Sequence, residues 1–153
     1  MSNRSSLLPC LRLLCIAAAG FFATGQAAMA EPQEIKVVEH ADTDAVTDTG
    51  DKGDTAGDIL TFANEVFDAA DAKKVGTDNG YCLRTVAGAA YECNWTTFLD
   101  GGQITVEGPF FDAKESTLAI TGGTGRYRGA RGEMELHSRD NGAKFAFVFH
   151  LKG

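Results

Sequence analysis

The sequence predicts an all-β domain, an eight-stranded antiparallel β-barrel with a possible central ligand cavity. Three observations carry that expectation. Eight segments alternate apolar and polar residues with the period of two that half-buried strands show. No segment holds a sustained 3.6-residue apolar period, so no helix is on hand to cover a sheet edge; closing the sheet on itself removes the edges instead. Turn-forming residues separate the segments, above all around 117–134, where five glycines (122, 123, 125, 129 and 132) fall within eleven residues. At eight strands a barrel is either filled by its own side chains or holds one small ligand, and periodicity does not choose between the two.

The first strand is expected over residues 34–40, with Ile35, Val37 and Glu39 on one face and Lys36, Val38 and His40 on the other. Residues 41–57, rich in Asp, Thr and Gly, lack periodicity and read as a flexible loop. Residues 58–68 place Leu60, Phe62, Asn64 and Val66 on one face; the Ala and Asp content over 61–74 also allows a helix, but the alternation favours a strand. Residues 75–86 and 89–99 form a hairpin about Ala87-Gly88. Residues 103–111 alternate through Ile104 and Val106. Residues 115–121 and 127–139 flank the glycine-rich bend. Asn141-Gly142 marks the last turn, and 144–151 lines up Phe145, Phe147, Phe149 and Leu151 on one face.

The ends and the charge bound the function. Residues 1–30 have the form of a secretory signal peptide: Arg4 and Arg12, a short apolar core over 13–22, and small residues at Ala28-Met29-Ala30, with cleavage expected after Ala30. Residues 31–153 then form one exported domain, secreted or periplasmic. The leader holds two of the 14 basic residues and none of the 21 acidic ones, so the remainder has a net charge near −9. Such a surface repels phosphates, so neither nucleic acid nor a membrane is an expected partner.

Few residues offer chemistry. Glu39 and Asn64 each interrupt an otherwise apolar strand face, where an unpaired polar group costs a few kcal/mol, roughly. Either those faces are wet or slipped by one residue, or a carboxylate and an amide project into a cavity, where burial raises the acid's pKa. Cys82 and Cys93 are the cysteines left after cleavage, and a turn at Ala87-Gly88 sets them directly opposite. Export favours a disulfide, although the simple register makes them a hydrogen-bonded pair and bridges prefer the narrower one; a free Cys82 lining a pocket is the alternative. His40, His137 and His150 lie on different strands without metal-ligand spacing, and no metal is expected. No serine sits in a nucleophile elbow, and Gly123-Thr-Gly125 lacks the third glycine and the helix of a nucleotide-binding loop. Arg126, Arg128 and Arg131 form one basic cluster beside Glu133 and Glu135.

The run Ala119-Ile-Thr-Gly-Gly-Thr-Gly-x-Tyr-x-Gly-Ala-Arg-Gly132 resembles the signature of the allene oxide cyclase and dirigent superfamily. The stretches 100–109, 57–64, 80–82 and 149–153 resemble its other strands, so the likeness covers the whole mature chain. It implies a barrel of the same type, a homotrimer, no cofactor, and a small hydrophobic or phenolic ligand. The activity it implies is a cyclase, hence an isomerase, or a dirigent-type factor that steers radical coupling; a non-catalytic binding barrel is the alternative. Carried over by position, the family's pocket glutamate falls on Glu39, one water-holding asparagine on Asn64, a pocket cysteine on Cys82, and apolar wall positions on Leu60 and Phe62. Two positions depart: a second asparagine falls on Ala41, and a pocket tyrosine on Phe110.

Overall fold

Alternation of side chains across each strand builds one closed sheet. The computed structural model describes residues 33–152, and the leader predicted over 1–30 lies outside the described residues. Eight long strands and one short one follow in chain order: β1 Gln33–His40, β2 Ala45–Thr47, β3 Ile59–Asp68, β4 Lys74–Val86, β5 Ala90–Leu99, β6 Gly102–Phe111, β7 Ser116–Gly125, β8 Gly132–Arg139 and β9 Lys144–Leu151. Every pairing is antiparallel, and each of β3 to β9 pairs with its neighbour in sequence. β1 closes the barrel by pairing with β9 along its whole length and with β3 over Val37–His40.

Two local expectations are corrected. The segment over 41–57 is a connection, but it contains β2, which pairs with the start of β3 where β1 no longer reaches. β1 and β2 thus lie end to end along β3, and residues 41–44 bow outward between them. The strand after the sixth does not stop at the first glycines. β7 runs through Gly122, Gly123 and Thr124 to Gly125, and the turn is confined to 126–131. Glycine serves there as a close-approach residue: Gly125 and Gly132 have φ values of 58° and 134°, and a Cβ on either would collide with a neighbouring strand's backbone. The helix allowed over 61–74 is absent, because β3 continues to Asp68.

The barrel's two ends differ. At the end closed by the 126–131 turn, Val37, Val66, Ile104, Val106, Met134 and Phe149 are fully or almost fully buried, and Tyr127 and Ala130 cover them. At the other end the connections 41–58, 87–89, 112–115 and 140–143 surround an opening.

Candidate functional site

The opening leads into a cavity of about 790 Å³. Its apolar walls come chiefly from alternate residues of four strands. Leu60 and Phe62 stand on β3, Tyr91 and Trp95 on β5, Phe110 on β6, and Phe145 and Phe147 on β9. The rings meet edge-on or tilted, with Phe62 to Trp95 at 6.0 Å, Trp95 to Phe147 at 5.6 Å and Phe110 to Phe145 at 5.7 Å. Such contacts fix the wall, and their faces suit a flat apolar guest. Phe145 and Phe147 therefore line the space and do not fill it.

Cys82 and Cys93 are joined across β4 and β5, and the bridge is part of the wall. Their Cα atoms are 4.0 Å apart, the spacing of the narrow, non-hydrogen-bonded kind of pair. The Cys82–Cys93 register is the one read from the sequence. A bulge between Arg84 and Val86, beside the turn, departs from the simple hairpin that makes them a hydrogen-bonded pair. A free Cys82 thiol is thus not what faces the cavity.

The inner end of the cavity is acidic. Glu39 lines it and is 5% exposed. Asn64 does not touch the cavity; it stands behind Glu39, where the chain bows out between β1 and β2. Its Oδ1 accepts from the Thr43 backbone N–H (3.0 Å) and hydroxyl (2.9 Å). That turns Nδ2 towards Glu39 Oε1 (2.7 Å) and Asp44 Oδ1 (2.8 Å), to which it donates. All four hydrogen-bonding positions of the amide are used, so it can sit only one way round. Where the ladder is interrupted, this side chain supplies the bonds a strand would have made, and it locks the Glu39 carboxyl in place. Ala41, where the family's second asparagine falls, has no such role; its backbone N–H bonds the Ala143 carbonyl.

Asp78, on β4 opposite Asn64, is the residue the sequence did not flag. It is 1% exposed and lies against the Glu39 carboxyl and the Asn64 backbone, with no charged donor beside it. Burial beside a second carboxyl favours its neutral form, whose proton can bridge to Glu39. Burial pushes Asp78 up to about 9, and the charge of Glu39 pushes in the same direction. Burial likewise pushes Glu39 up to about 7, against the lowering effect of the Asn64 amide. The two act as one unit that retains a proton at neutral pH. Asp44 also faces Glu39 and discourages its ionisation.

The mouth is built differently. Arg84, buried on β4, stacks over the Tyr91 ring at 3.5 Å and pairs with Asp54 (2.7 Å) and Asp112 (2.8 Å). Two connections are thereby tied together, and the guanidinium is committed to them. Lys114 lies over the Phe111 ring at 4.0 Å.

The remaining sequence candidates lie elsewhere. Arg131 donates to the carbonyls of Thr121 and Ala130, and Arg126 stacks on Tyr127, so that cluster braces the closed end. His40 donates to Asp71 at 2.6 Å, while His137 and His150 flank Glu135 on the outer wall. Among the described residues, no group of three or more His, Cys, Asp or Glu is placed to hold a metal ion.

Known proteins share this architecture. A family model described as allene oxide cyclase matches residues 29–153. A solved pyocyanin demethylase is similar at 28% identity and a TM-score of 0.67, covering 77% of this chain and 99% of its own. A pterocarpan synthase dirigent protein superposes with a TM-score of 0.64 at 18% identity, over 80% of this chain and 87% of its own. An exo-specific intermolecular Diels-Alderase does so with a TM-score of 0.60 at 17% identity, over 79% and 99%. At such identities the last two establish a shared fold.

Proposed function

The chain belongs to the allene oxide cyclase family, and from that premise we propose that it binds a small hydrophobic or phenolic molecule in its barrel and steers a cyclisation of it. One observation carries the reading: a protonatable carboxyl, Glu39, is locked by Asn64 at the inner end of an aromatic-walled cavity. The wall folds an apolar chain or stacks a ring, which restricts the reactive conformers. Glu39 gives or takes a proton as charge develops. A positioned acid with a pKa near the working pH contributes roughly 10²–10⁴-fold to a rate. Leu60, Phe62, Phe110 and the Cys82–Cys93 bridge serve as the ligand-binding wall in this account, without any cofactor. Cyclases, Diels-Alderases and dirigent proteins on the same barrel support a steering role, although one fold hosts many chemistries.

Export and a homotrimer belong to the same proposal. The disulfide suits an oxidising compartment. The exposed Val46, Tyr81, Leu83 and Val86 suit association with further copies.

Chiral chromatography of the cyclopentenone formed from an enzymatically generated allene oxide, with and without the protein, tests the reading. An enantiomeric excess that depends on the protein is expected, and Glu39→Gln is expected to remove it while the barrel stays folded. A racemic product in both arms overturns the cyclisation of that substrate and favours radical steering of phenols. Binding without chemistry predicts no product bias with any substrate and no role for Glu39.

A further inference from the structure

Proton transfer at Glu39 leaves one reactive group of the cavity wall unused, the Cys82–Cys93 bridge, both halves of which line the space. Along β4 and β5 the inward pairs run Gly80–Trp95, Cys82–Cys93 and Arg84–Tyr91. The cysteines are 3% and 2% exposed, and they point inward from a sheet one layer thick. A reagent therefore reaches the sulfurs through the mouth and not through the outer wall. The two sulfurs have different surroundings. Beside Cys93 on β6 stands Gly108, whose φ of 146° favours glycine and which sets no side chain against the bridge. On its own strand Cys93 is flanked by the Tyr91 and Trp95 rings. Cys82 instead has Leu60 beside it on β3 and Arg84 next along the inward face of β4. A guanidinium there, even shared with Asp54 and Asp112, favours a thiolate departing from Cys82. The chain's net negative charge, with Asp112 and Glu115 lining the mouth, disfavours anionic reagents.

We propose that the bridge is an exchange site for small, uncharged aromatic thiols, which the cavity admits and captures on Cys93. This rests on the cavity being open to ligands and adds a covalent reaction to it. The thiol loses its proton, and its sulfur attacks Cys93 Sγ. A new S–S bond to Cys93 forms as the Cys82–Cys93 bond breaks, and the electron pair of the broken bond leaves with Cys82 Sγ, which takes up a proton. No net oxidation or reduction accompanies this step. A second thiol molecule completes the reduction by displacing the first as a symmetrical disulfide, which leaves Cys93 as a thiol. While the mixed disulfide lasts, its ring lies against Tyr91 and Trp95, and β4 and β5 lose their covalent tie. Exposure to such a thiol thus closes the cavity to other ligands.

Reduction of the bridge by benzyl mercaptan and by glutathione, an anionic peptide thiol, tests the proposal. Samples of the folded chain, and of the same chain unfolded in urea, are quenched with N-ethylmaleimide and followed by mass spectrometry. The unfolded chain gives the intrinsic reactivity of each thiol. Folding is expected to raise the rate ratio in favour of benzyl mercaptan by roughly 10-fold or more. Benzyl methyl sulfide, which fits the same space but cannot exchange, is expected to slow the benzyl mercaptan reaction of the folded chain alone. The trapped intermediate is expected to carry the thiol on Cys93 and the maleimide on Cys82. A folded ratio equal to the unfolded one, or no effect of the sulfide, means that local opening exposes the bridge, and overturns the proposal. The thiol found on Cys82 overturns capture on Cys93. A bridge that neither thiol reduces in the folded chain overturns the exchange site as well. A protein-dependent enantiomeric excess in the cyclisation assay is untouched by any of these results, so the two readings fail separately.

Discussion

The two ends of the barrel are made from the same eight strands with the same alternation, yet one is packed and the other is open. At the closed end the inward positions carry Val37, Val66, Ile104, Val106, Met134 and Phe149, and glycines at strand ends let the backbones converge beneath the 126–131 turn. At the open end the inward positions carry large rings that meet edge-on and stand apart, and two of the connections are tied to Arg84 at the rim. Glu39, Asn64, Asp78 and Thr97 form the layer between, buried to 5% exposure or less. Binary pattern thus sets which residues face inward, whereas side-chain size and the fate of the connections set whether the inside is filled.

Substitutions at each end test that contrast. Phe149→Ala at the closed end is expected to cost about 3–5 kcal/mol in urea unfolding, as for other fully buried phenylalanines. Phe145→Ala, on the same strand at the open end, has less packing to lose and is expected to cost roughly 1 kcal/mol. Equal costs would mean that the two ends are packed alike. Replacing both Cys82 and Cys93 with Ser removes the one covalent brace of the open end. Its loop closes across eleven residues of sequence, so the loss is expected to be about 3 kcal/mol. The same double variant separates stability from ligand binding if the aromatic wall keeps its affinity.

The middle layer predicts a pH dependence. Asp78 and Glu39 both have raised folded-state pKa values, so the neutral forms favour the folded state. Their contribution is complete below the ordinary carboxylate range and is lost as pH rises through about 7 and about 9. The wild type is therefore expected to be less stable at pH 9 than at pH 5. Asp78→Asn should flatten that profile and gain on the order of 1 kcal/mol at pH 9. A wild-type profile that rises with pH would mean that the pair is ionised when folded. The smallest effect is expected at the mouth. Arg84→Met leaves Asp54 and Asp112 hydrated, costs under about 1 kcal/mol, and exposes the 112–115 connection to faster proteolysis.

The strands were legible because each shows its buried face plainly: Ile104 and Val106 on β6, the phenylalanines of β9. Glu39 and Asn64 were legible for the same reason, as polar interruptions of apolar faces. Asp78 was not. Its neighbours on β4 are Gly76, Thr77, Asn79 and Gly80, so both faces of that stretch look polar and no interruption is visible. Arg84 reads as a surface residue until its two acids and the Tyr91 ring are seen to enclose it. β2 escaped because three residues are too few for a period, and it exists by pairing with β3. The extension of β7 through its glycines depends on close backbone contact with β6, which local composition does not encode.

The pairing of β1 with β9 has a consequence for the order of assembly. The first strand of the barrel waits for the last, since Gln33 meets Leu151 and the ladder between them is what closes the circle. A chain still emerging from the ribosome can form the consecutive hairpins from β3 to β8, but it holds them as an open, edge-bearing sheet. Closure is then a late, long-range event in folding, slow by the measure of contact order. A chain of this topology stays unclosed while it is being made, which is the condition in which a polypeptide can be threaded across a membrane and fold on the far side.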